Sequence, residues 1–453
     1  MAEVFLPAQE KPVVAFHTLG CRLNFFETDG LATQVKKLGF DLSGDKNPDY
    51  FIINSCTVTN KADSKNRSII RQTIKKYPRT KVVVTGCYAE TDREALENIP
   101  GVYKVIGNSQ KSQLSEFLAL DWKGENHPFQ QEYDRFAYVD VLPEGHTRSY
   151  LKIQDGCNRK CAYCKIPQAR GVGVSRNPIE VLDQIKFLQD QGIGEIQLTG
   201  VNLGWYRDTE GNKGFISLLE SILRVLDYSR IRLSSIEPPD VGTDLADLMQ
   251  SDRFCKFLHV PLQSGSRKIL RLMQRTYHPE AFRMRIAQVQ SKVPGIFLGT
   301  DAIVGFPGEG EEEFQETIDI LRDLAFAKIH AFPYSVRRKT KAEDWGDPIK
   351  GDTKKERILR LNQLSRDLHS RYVQSQMGKI EEGILESDGT LVTGNYIKGR
   401  LEEDSIQILS QLKAGQFLEV VITGYKVSEA KEGQASFRIK EKNSYLEGPF
   451  LKK

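Results

Sequence analysis

No stretch of this sequence approaches the roughly eighteen consecutive apolar residues that a membrane-spanning helix needs, so a helical membrane protein is excluded. Residues 1–12 carry neither a basic n-region nor an apolar h-region, so no secretory signal is expected and the chain is placed in the cytoplasm, with no membrane partner. Cysteine is sparse: seven in 453 residues, an odd number, which argues against a disulfide framework and for metal binding or catalysis. A large excess of one charge is also missing. The net charge of +4 is too small to establish nucleic-acid binding, which only a local patch could support. What remains, with 39% hydrophobic and 27% charged residues, is an ordinary globular composition long enough for about three domains.

The densest chemistry lies in Gly156-Cys157-Asn158-Arg159-Lys160-Cys161-Ala162-Tyr163-Cys164-Lys165-Ile166-Pro167, just after the apolar run Tyr150-Leu151-Lys152-Ile153. Three thiolates on one tight loop can hold three irons of a 4Fe–4S cube and leave the fourth iron open to a substrate. A structural zinc site asks for a fourth ligand at comparable spacing. No His or Cys follows Cys164 before Cys255, although His146 lies upstream. A thioredoxin-like pair would use Cys161-x-x-Cys164 but has no role for Cys157. The run resembles the signature of radical S-adenosylmethionine (SAM) enzymes. That resemblance implies that the open iron chelates the amino and carboxylate groups of SAM, and that one electron then releases a 5′-deoxyadenosyl radical.

Residues 12–125 alternate strand and helix patterns, with strands expected at 13–18, 49–54, 81–85 and 102–106 and helices at 25–38 and 61–77. Continuous apolar strands with intervening helices predict an open parallel sheet covered on both faces. Cys21, Cys56 and Cys87 each fall one to three residues past the carboxyl end of one of these strands, the edge where such sheets bind ligands. Buried core cysteines would sit inside strands or on apolar helix faces instead, so a second three-cysteine cluster is expected. Residues 107–149 show no firm periodicity and read as a connector, with 135–139 strand-like.

From 145 to 375 the alternation resumes. Strands at 150–154, 195–199, 230–234, 257–260, 296–304 and 328–332, with helices such as 178–191, 215–226 and 311–324, predict a partial (βα)6 barrel with its chemistry at the carboxyl ends. Polar and glycine residues recur at that rim, and Thr199, Asn202, Glu237, His259, Gln263, Ser264, Gly305 and Pro307 are the candidates for a SAM pocket. Cys255 belongs to neither triplet and reads as a core thiol. Residues 337–377 read as a packed helix (Ile358, Leu361, Leu364, Leu368, Tyr372) with a basic outer face.

The runs His259-Val260-Pro261-Leu262-Gln263-Ser264-Gly265 and Val304-Gly305-Phe306-Pro307-Gly308-Glu309, together with the three dispersed cysteines, resemble the methylthiotransferases, a radical SAM branch. The likeness covers residues 14 to 440. It implies two 4Fe–4S clusters, an auxiliary one on Cys21, Cys56 and Cys87 connected with sulfur delivery, and a radical one on Cys157, Cys161 and Cys164. It also implies SAM as methyl and radical source and a reductant protein such as flavodoxin or ferredoxin. One departure stands out: where the family has Arg-x-Gly-Thr-x-Ala, this chain has Arg338-Lys339-Thr340-Lys341-Ala342, which leaves the roles of Arg337 and Arg338 open.

Residues 376–441 change to alternating β-branched runs between Gly and Asp turns, expected at 379–386, 391–397, 417–422 and 435–439. This predicts a small antiparallel barrel, which by position resembles the RNA-binding TRAM domain. Acids outnumber bases there, so the RNA contacts are expected from a local patch of Tyr396, Lys398 and Arg400, and from the i, i+4, i+8 stripe Arg67, Arg71, Lys75. Removing 376–453 is expected to weaken tRNA binding while SAM cleavage survives. The resulting expectation is a monomeric enzyme that methylthiolates an adenosine beside a tRNA anticodon. Leu19-Gly20-Cys21-Arg22-Leu23-Asn24 and Ser55-Cys56-Thr57-Val58-Thr59 resemble the branch acting on N6-threonylcarbamoyladenosine at position 37 of the anticodon loop. The alternatives are the isopentenyladenosine branch, the ribosomal-protein aspartate branch, and a non-catalytic RNA-binding protein with structural metal centres.

Overall fold

The computed structural model describes residues 11–43, 47–130, 134–208, 210–211, 213–402, 412–426 and 433–439. The expected barrel end at 441 and most of the segment read for a signal lie outside the described residues.

The N-terminal sheet has five parallel strands in the order Asp41–Leu42, Val13–Thr18, Tyr50–Ser55, Lys81–Gly86, Val102–Ile106. Val82, Val83 and Val84 are all fully buried, as a parallel strand covered on both faces requires. The helix Asn60–Lys76 starts where the Thr59 hydroxyl accepts from the Ala62 amide at 3.1 Å, and it ends with Lys75 and Lys76 at the negative pole of its dipole.

Residues read as a connector fold further than expected. Asn108–Gln113 forms a tight helical turn and Leu114–Trp122 a helix. Leu114, Phe117 and Leu118, at i, i+3 and i+4, are buried in the same core cluster as Val14 and Phe26. The stripe is only two turns long, too short to stand out among polar neighbours. Residues 135–139 form no strand; Tyr138 instead packs edge-on against Phe26, with ring centroids 6.0 Å apart.

Among the described residues the barrel of the central unit has six strands, Ser149–Lys152, Glu195–Thr199, Arg230–Leu233, Phe257–His259, Phe297–Val304 and Lys328–Pro333. They form two parallel three-stranded sheets, joined by a parallel bridge from Ile231 to Phe254 and by the Ile236 amide donating to the His259 carbonyl at 2.9 Å. Among the described residues no pairing joins the first strand to the last, so the barrel is partial. Its core is continuous with that of the N-terminal unit.

The helix Gly351–Ser375 packs through Leu361 and Leu368 as expected, but its basic residues are not all outward. Arg357 is buried and donates to Glu309 Oε1 at 2.5 Å, and buried Lys354 reaches the Tyr334 carbonyl at 3.2 Å. Charge alone does not place a basic side chain in solvent when a buried acceptor lies within reach.

The C-terminal strands Ile380–Leu385, Leu391–Thr393, Lys398–Leu401, Phe417–Lys426 and Gln434–Ile439 close into a barrel. It is not wholly antiparallel: Lys398–Leu401 and Gln434–Ile439 pair in parallel. A closed ring with an odd number of strands cannot alternate direction all the way round. The barrel docks on the amino ends of the central strands. There Arg230 and Arg232 donate to the carbonyls of Glu382 (2.8 Å), Thr393 (3.1 Å) and Gly394 (3.2 Å), and Tyr396 packs on Phe257 and Phe297. Beneath them Glu195 is fully buried, and although burial opposes its charge, Arg232 and Arg230 hold its carboxyl far below the usual range. Removal of 376–453 would take the carbonyl acceptors from Arg230 and Arg232, which keep Glu195, and expose aromatic core, so the end domain is tied to the central unit by a buried interface.

Candidate functional site

The cysteine loop of the central unit is closed at its base by the short antiparallel pair Gln154–Asp155 and Val174–Ser175. Gly156 enters it at φ +72°, where a Cβ would stand 2.0 Å from the Val172 carbonyl oxygen, so no other residue fits. The Cys157 amide donates to the Gly171 carbonyl at 3.0 Å, and the Ala162 amide to that of Met273 at 3.0 Å, which presses the loop onto the rim. Burial first, then the neighbouring Cys161 and Cys157, push the Cys164 thiol up to about 12. Two cations attend them. Arg275 Nη1 lies 3.3 Å from Cys161 Sγ and its Nη2 2.5 Å from Glu237 Oε2, while Arg159 spans Trp205 and Glu237.

The rim candidates divide by what their polar atoms already do. Asn202 is 2% exposed, yet neither its Oδ1 nor its Nδ2 has a partner; Ser234 Oγ is also buried and without one, and Arg159 Nε makes no hydrogen bond, with Glu237 Oε2 3.9 Å away. Buried polar atoms without protein partners call for an explanation, and at this rim a polar ligand would supply one. Thr199 is buried at the end of its strand, and His259 faces Asp301 with Nε2 3.1 Å from Oδ2. Gln263 adopts φ +63° and bridges to the neighbouring strand through its backbone. Ser264 Oγ accepts from the Ser266 amide at 3.2 Å, and the Gly305 amide donates to Glu309 Oε1 at 2.8 Å beside the buried Pro307. These last three shape turns.

The other three cysteines meet on the N-terminal sheet edge. Cys21 precedes the helix Arg22–Lys37, Cys56 follows Tyr50–Ser55, and Cys87 begins the helix Cys87–Thr91 after Lys81–Gly86. Gly20, at φ +102°, lets the first loop approach so closely that a Cβ would lie 2.7 Å from Cys56 Sγ. Burial, then the charges of Cys87 and Cys21, push the Cys56 thiol up to about 12. Among the described residues no three His, Cys, Asp or Glu gather about a single point as ligands of one ion would. Thiolates on separate irons of a cube have no such requirement. Cys255 is the core thiol expected: buried, 3.5 Å from Glu195 Oε2, and pushed up to about 12 by burial.

The segment 165–170, directly after Cys164, ties the two sites together. Lys165 Nζ donates to Asp92 Oδ2 at 2.7 Å, at the end of the helix that Cys87 begins. The Ala169 carbonyl accepts from Asn108 Nδ2 at 2.8 Å, and that amide also lies 3.5 Å from Cys87 Sγ. Arg170 Nη2 donates to Asn24 Oδ1 at 2.7 Å, while its Nη1 meets Glu27 Oε1 at 2.9 Å and Asp155 Oδ1 at 3.0 Å. A second clamp is Arg337, whose Nη2 donates to the Thr57 carbonyl at 2.8 Å and Nη1 to Asp63 Oδ2 at 3.0 Å. This gives a role to the residue whose motif departed from the family pattern. Arg159 could have been noticed from its place between Cys157 and Cys161; Arg275 and Glu27 carry no local signal.

The nucleic-acid candidates are not equivalent. Arg71 and Lys75 are exposed on one helix face, but Arg67 Nη1 is bonded to the Tyr88 hydroxyl at 2.5 Å. Lys398 and Arg400 are exposed. The Tyr396 ring packs against Phe257, Phe297 and the Arg232 guanidinium, which corrects its expected role as a free stacking platform. It lines, with Lys398, His146 and Arg148, a groove of about 760 Å³ at the amino end of the barrel, opposite the cysteines.

Residues 13–107 match the pattern of "Uncharacterized protein family UPF0004", and residues 151–321 that of the radical SAM superfamily. The chain is 36% identical to a threonylcarbamoyladenosine tRNA methylthiotransferase of Bacillus subtilis, over 90% of this chain and 97% of that one. It is 31% identical to a tRNA-2-methylthio-N(6)-dimethylallyladenosine synthase of Aquifex aeolicus, over 82% of this chain and 87% of the other. In fold it is similar to a radical SAM methyltransferase of Kitasatospora setae, with a TM-score of 0.52, 16% identity, and coverage of 72% of this chain and 75% of that one. The chain belongs to the radical SAM methylthiotransferases.

Proposed function

We propose that this protein adds a methylthio group to position 2 of N6-threonylcarbamoyladenosine at tRNA position 37. The observation that carries the reading is that residues 165–170, directly after one three-cysteine set, are hydrogen-bonded to the loops that bear the other. One transfer needs both a radical generator and a sulfur donor, and a cluster held by each cysteine set would supply them. The identities to relatives named for threonylcarbamoyladenosine, 33–36%, support that base over the dimethylallyl one, whose named relatives stand at 29–31%.

Cys157, Cys161 and Cys164 would hold the radical cluster, and Cys21, Cys56 and Cys87 the auxiliary one. When bound, these groups and SAM supply the hydrogen-abstracting radical, the methyl group and the sulfur. The unpaired amide of Asn202, with Ser234, Glu237, Thr199, His259 and Gln263 around the same rim, forms the polar wall of the SAM pocket. Ser264, Gly305 and Pro307 fix its turns. Arg71 and Lys75, with Arg67 behind them, and Lys398 and Arg400 contact phosphates, which position the anticodon loop without reading it. The target adenine leaves the base stack to enter the rim. The electron comes from a small reductant protein of the flavodoxin or ferredoxin class, and the enzyme works as a cytoplasmic monomer.

Nucleoside mass spectrometry of tRNA from cells lacking the protein tests this. Loss of the 2-methylthio form, with accumulation of N6-threonylcarbamoyladenosine, is expected; loss of the 2-methylthio form of isopentenyladenosine instead would overturn the substrate.

A further inference from the structure

Between the two cysteine sites lies a charged network with no direct part in the chemistry above. Glu27, Lys111, Lys152, Asp155 and Arg170 are each no more than 4% exposed. Glu27 accepts from Lys111 at 2.6 Å, Lys152 at 2.8 Å and Arg170 at 2.9 Å, and Asp155 from Lys152 at 3.1 Å and Arg170 at 3.0 Å. Three cations against two carboxylates leave one positive charge buried. An uncompensated buried charge is strongly unfavourable, so this one calls for a partner. Asp134 also lines the small cavity around Glu27, Lys111 and Arg170, but it is an exposed residue at the edge. Arg170 Nη2 also donates to Asn24 Oδ1 at 2.7 Å, and Asn24 Nδ2 reaches the carbonyls of Leu19 and Ser55 beside Cys21 and Cys56, while Asn108, on the same cavity wall, lies 3.5 Å from Cys87 Sγ.

We infer that this network is the counter-charge of the auxiliary cluster and sets its reduction potential, with Arg170 and Lys111 as positioning residues that touch no iron. The inference rests on the reading of Cys21, Cys56 and Cys87 as cluster ligands. An oxidised cube on three thiolates carries one net negative charge, which the surplus cation offsets, and reduction adds a second. A fixed buried cation therefore stabilises the reduced form and raises the potential. The radical cluster has its own cation in Arg275, so the two potentials are set separately. Because Lys152, Asp155 and Arg170 belong to the central unit and Glu27 and Lys111 to the N-terminal one, the auxiliary potential is right only when the two are seated together.

The test uses the full chain with Cys157, Cys161 and Cys164 replaced by Ala, reconstituted with iron and sulfide and titrated with dithionite under electron paramagnetic resonance. In that background Arg170→Gln and Lys111→Gln each make the cluster at least tenfold harder to reduce, a shift of about 59 mV for one electron. Glu27→Gln moves it the other way, whereas Arg170→Lys and the charge-balanced pair E27Q/K111Q keep it. If the cluster is present and neither Lys111→Gln nor Glu27→Gln moves the potential, the network is structural only and the inference falls. If the background protein binds no iron, the reading of the three N-terminal cysteines fails first. Should Arg170→Gln not fold, the Lys111 and Glu27 variants decide.

Discussion

Arg170 Nη2 and Asn24 Oδ1 stand 2.7 Å apart, and Asn24 Nδ2 passes the connection on to the carbonyls of Leu19 at 2.7 Å and Ser55 at 3.0 Å. Leu19 and Ser55 lie two and one residues before Cys21 and Cys56. A single side chain of the central unit, six residues after Cys164, thereby holds two of the three N-terminal cysteine loops. Lys165 and the Ala169 carbonyl hold the third. The loop that carries one cysteine set is thus the scaffold of the other.

The two proposed iron sites are nevertheless expected to be separable. Cys161→Ala is expected to abolish reductive cleavage of SAM. The triple variant C21A/C56A/C87A is expected to keep about half the iron and to cleave SAM without transferring sulfur. Iron and sulfide analysis with 5′-deoxyadenosine quantitation checks both. Asn24→Ala, which leaves two carbonyls and one Arg170 N–H without their partner, is expected to lose auxiliary iron selectively and to cost about 2 kcal/mol.

Arg337 clamps the loop after Cys56 from the opposite side. Arg337→Met leaves Asp63 and Thr57 without their partner, and a loss of roughly 3 kcal/mol is expected in denaturant unfolding. Arg338→Met, at the neighbouring position, is expected to change stability by less than about 0.5 kcal/mol.

Asp29 gives the pH dependence a sign. Burial, against a hydrogen bond from the Glu144 amide, raises its carboxyl from 3.8 to about 8. The folded chain thus keeps a proton that the unfolded chain has lost, and stability falls as pH rises from about 4 to about 8, then levels. Asp29→Asn is expected to remove that slope, stabilising the protein at pH 8 by roughly 1–3 kcal/mol and changing little at pH 4. Thermal midpoints of both proteins across this range check it.

At the C-terminal barrel, K398E/R400E is expected to weaken tRNA binding and to lower the salt slope by roughly 1–2, while SAM cleavage without tRNA is unchanged. Truncation at 376 is expected to yield unfolded protein, because Arg230 and Arg232 lose their carbonyl acceptors. A salt series of tRNA affinities, with circular dichroism on the truncated chain, distinguishes the two effects.

Much of this was legible in sequence because the signals are local. Apolar runs such as Val82-Val83-Val84 announce parallel strands, and C-x3-C-x2-C is confined to one loop. The three dispersed cysteines could be assembled because each follows a strand of one sheet, which converts separation in sequence into proximity at an edge. The charged network was not legible: Arg170 and Glu27 are 143 positions apart, and nothing near either residue predicts the partner. Tyr396 misled for a related reason. An aromatic residue in a small barrel reads as a stacking surface until the neighbouring unit's Phe257 and Phe297 are seen to cover it.

The central claim is that one protein carries both clusters and uses them on a single modified base. Its most direct test is anaerobic reaction of the reconstituted protein with SAM, sulfide and dithionite on three tRNAs. These carry N6-threonylcarbamoyladenosine, isopentenyladenosine or unmodified adenosine at position 37, and the products are read by nucleoside mass spectrometry. The account predicts the 2-methylthio product from the first tRNA alone, and none from any tRNA with C21A/C56A/C87A. Methylthiolation of the isopentenyl or unmodified base, or undiminished product from that triple variant, would contradict it.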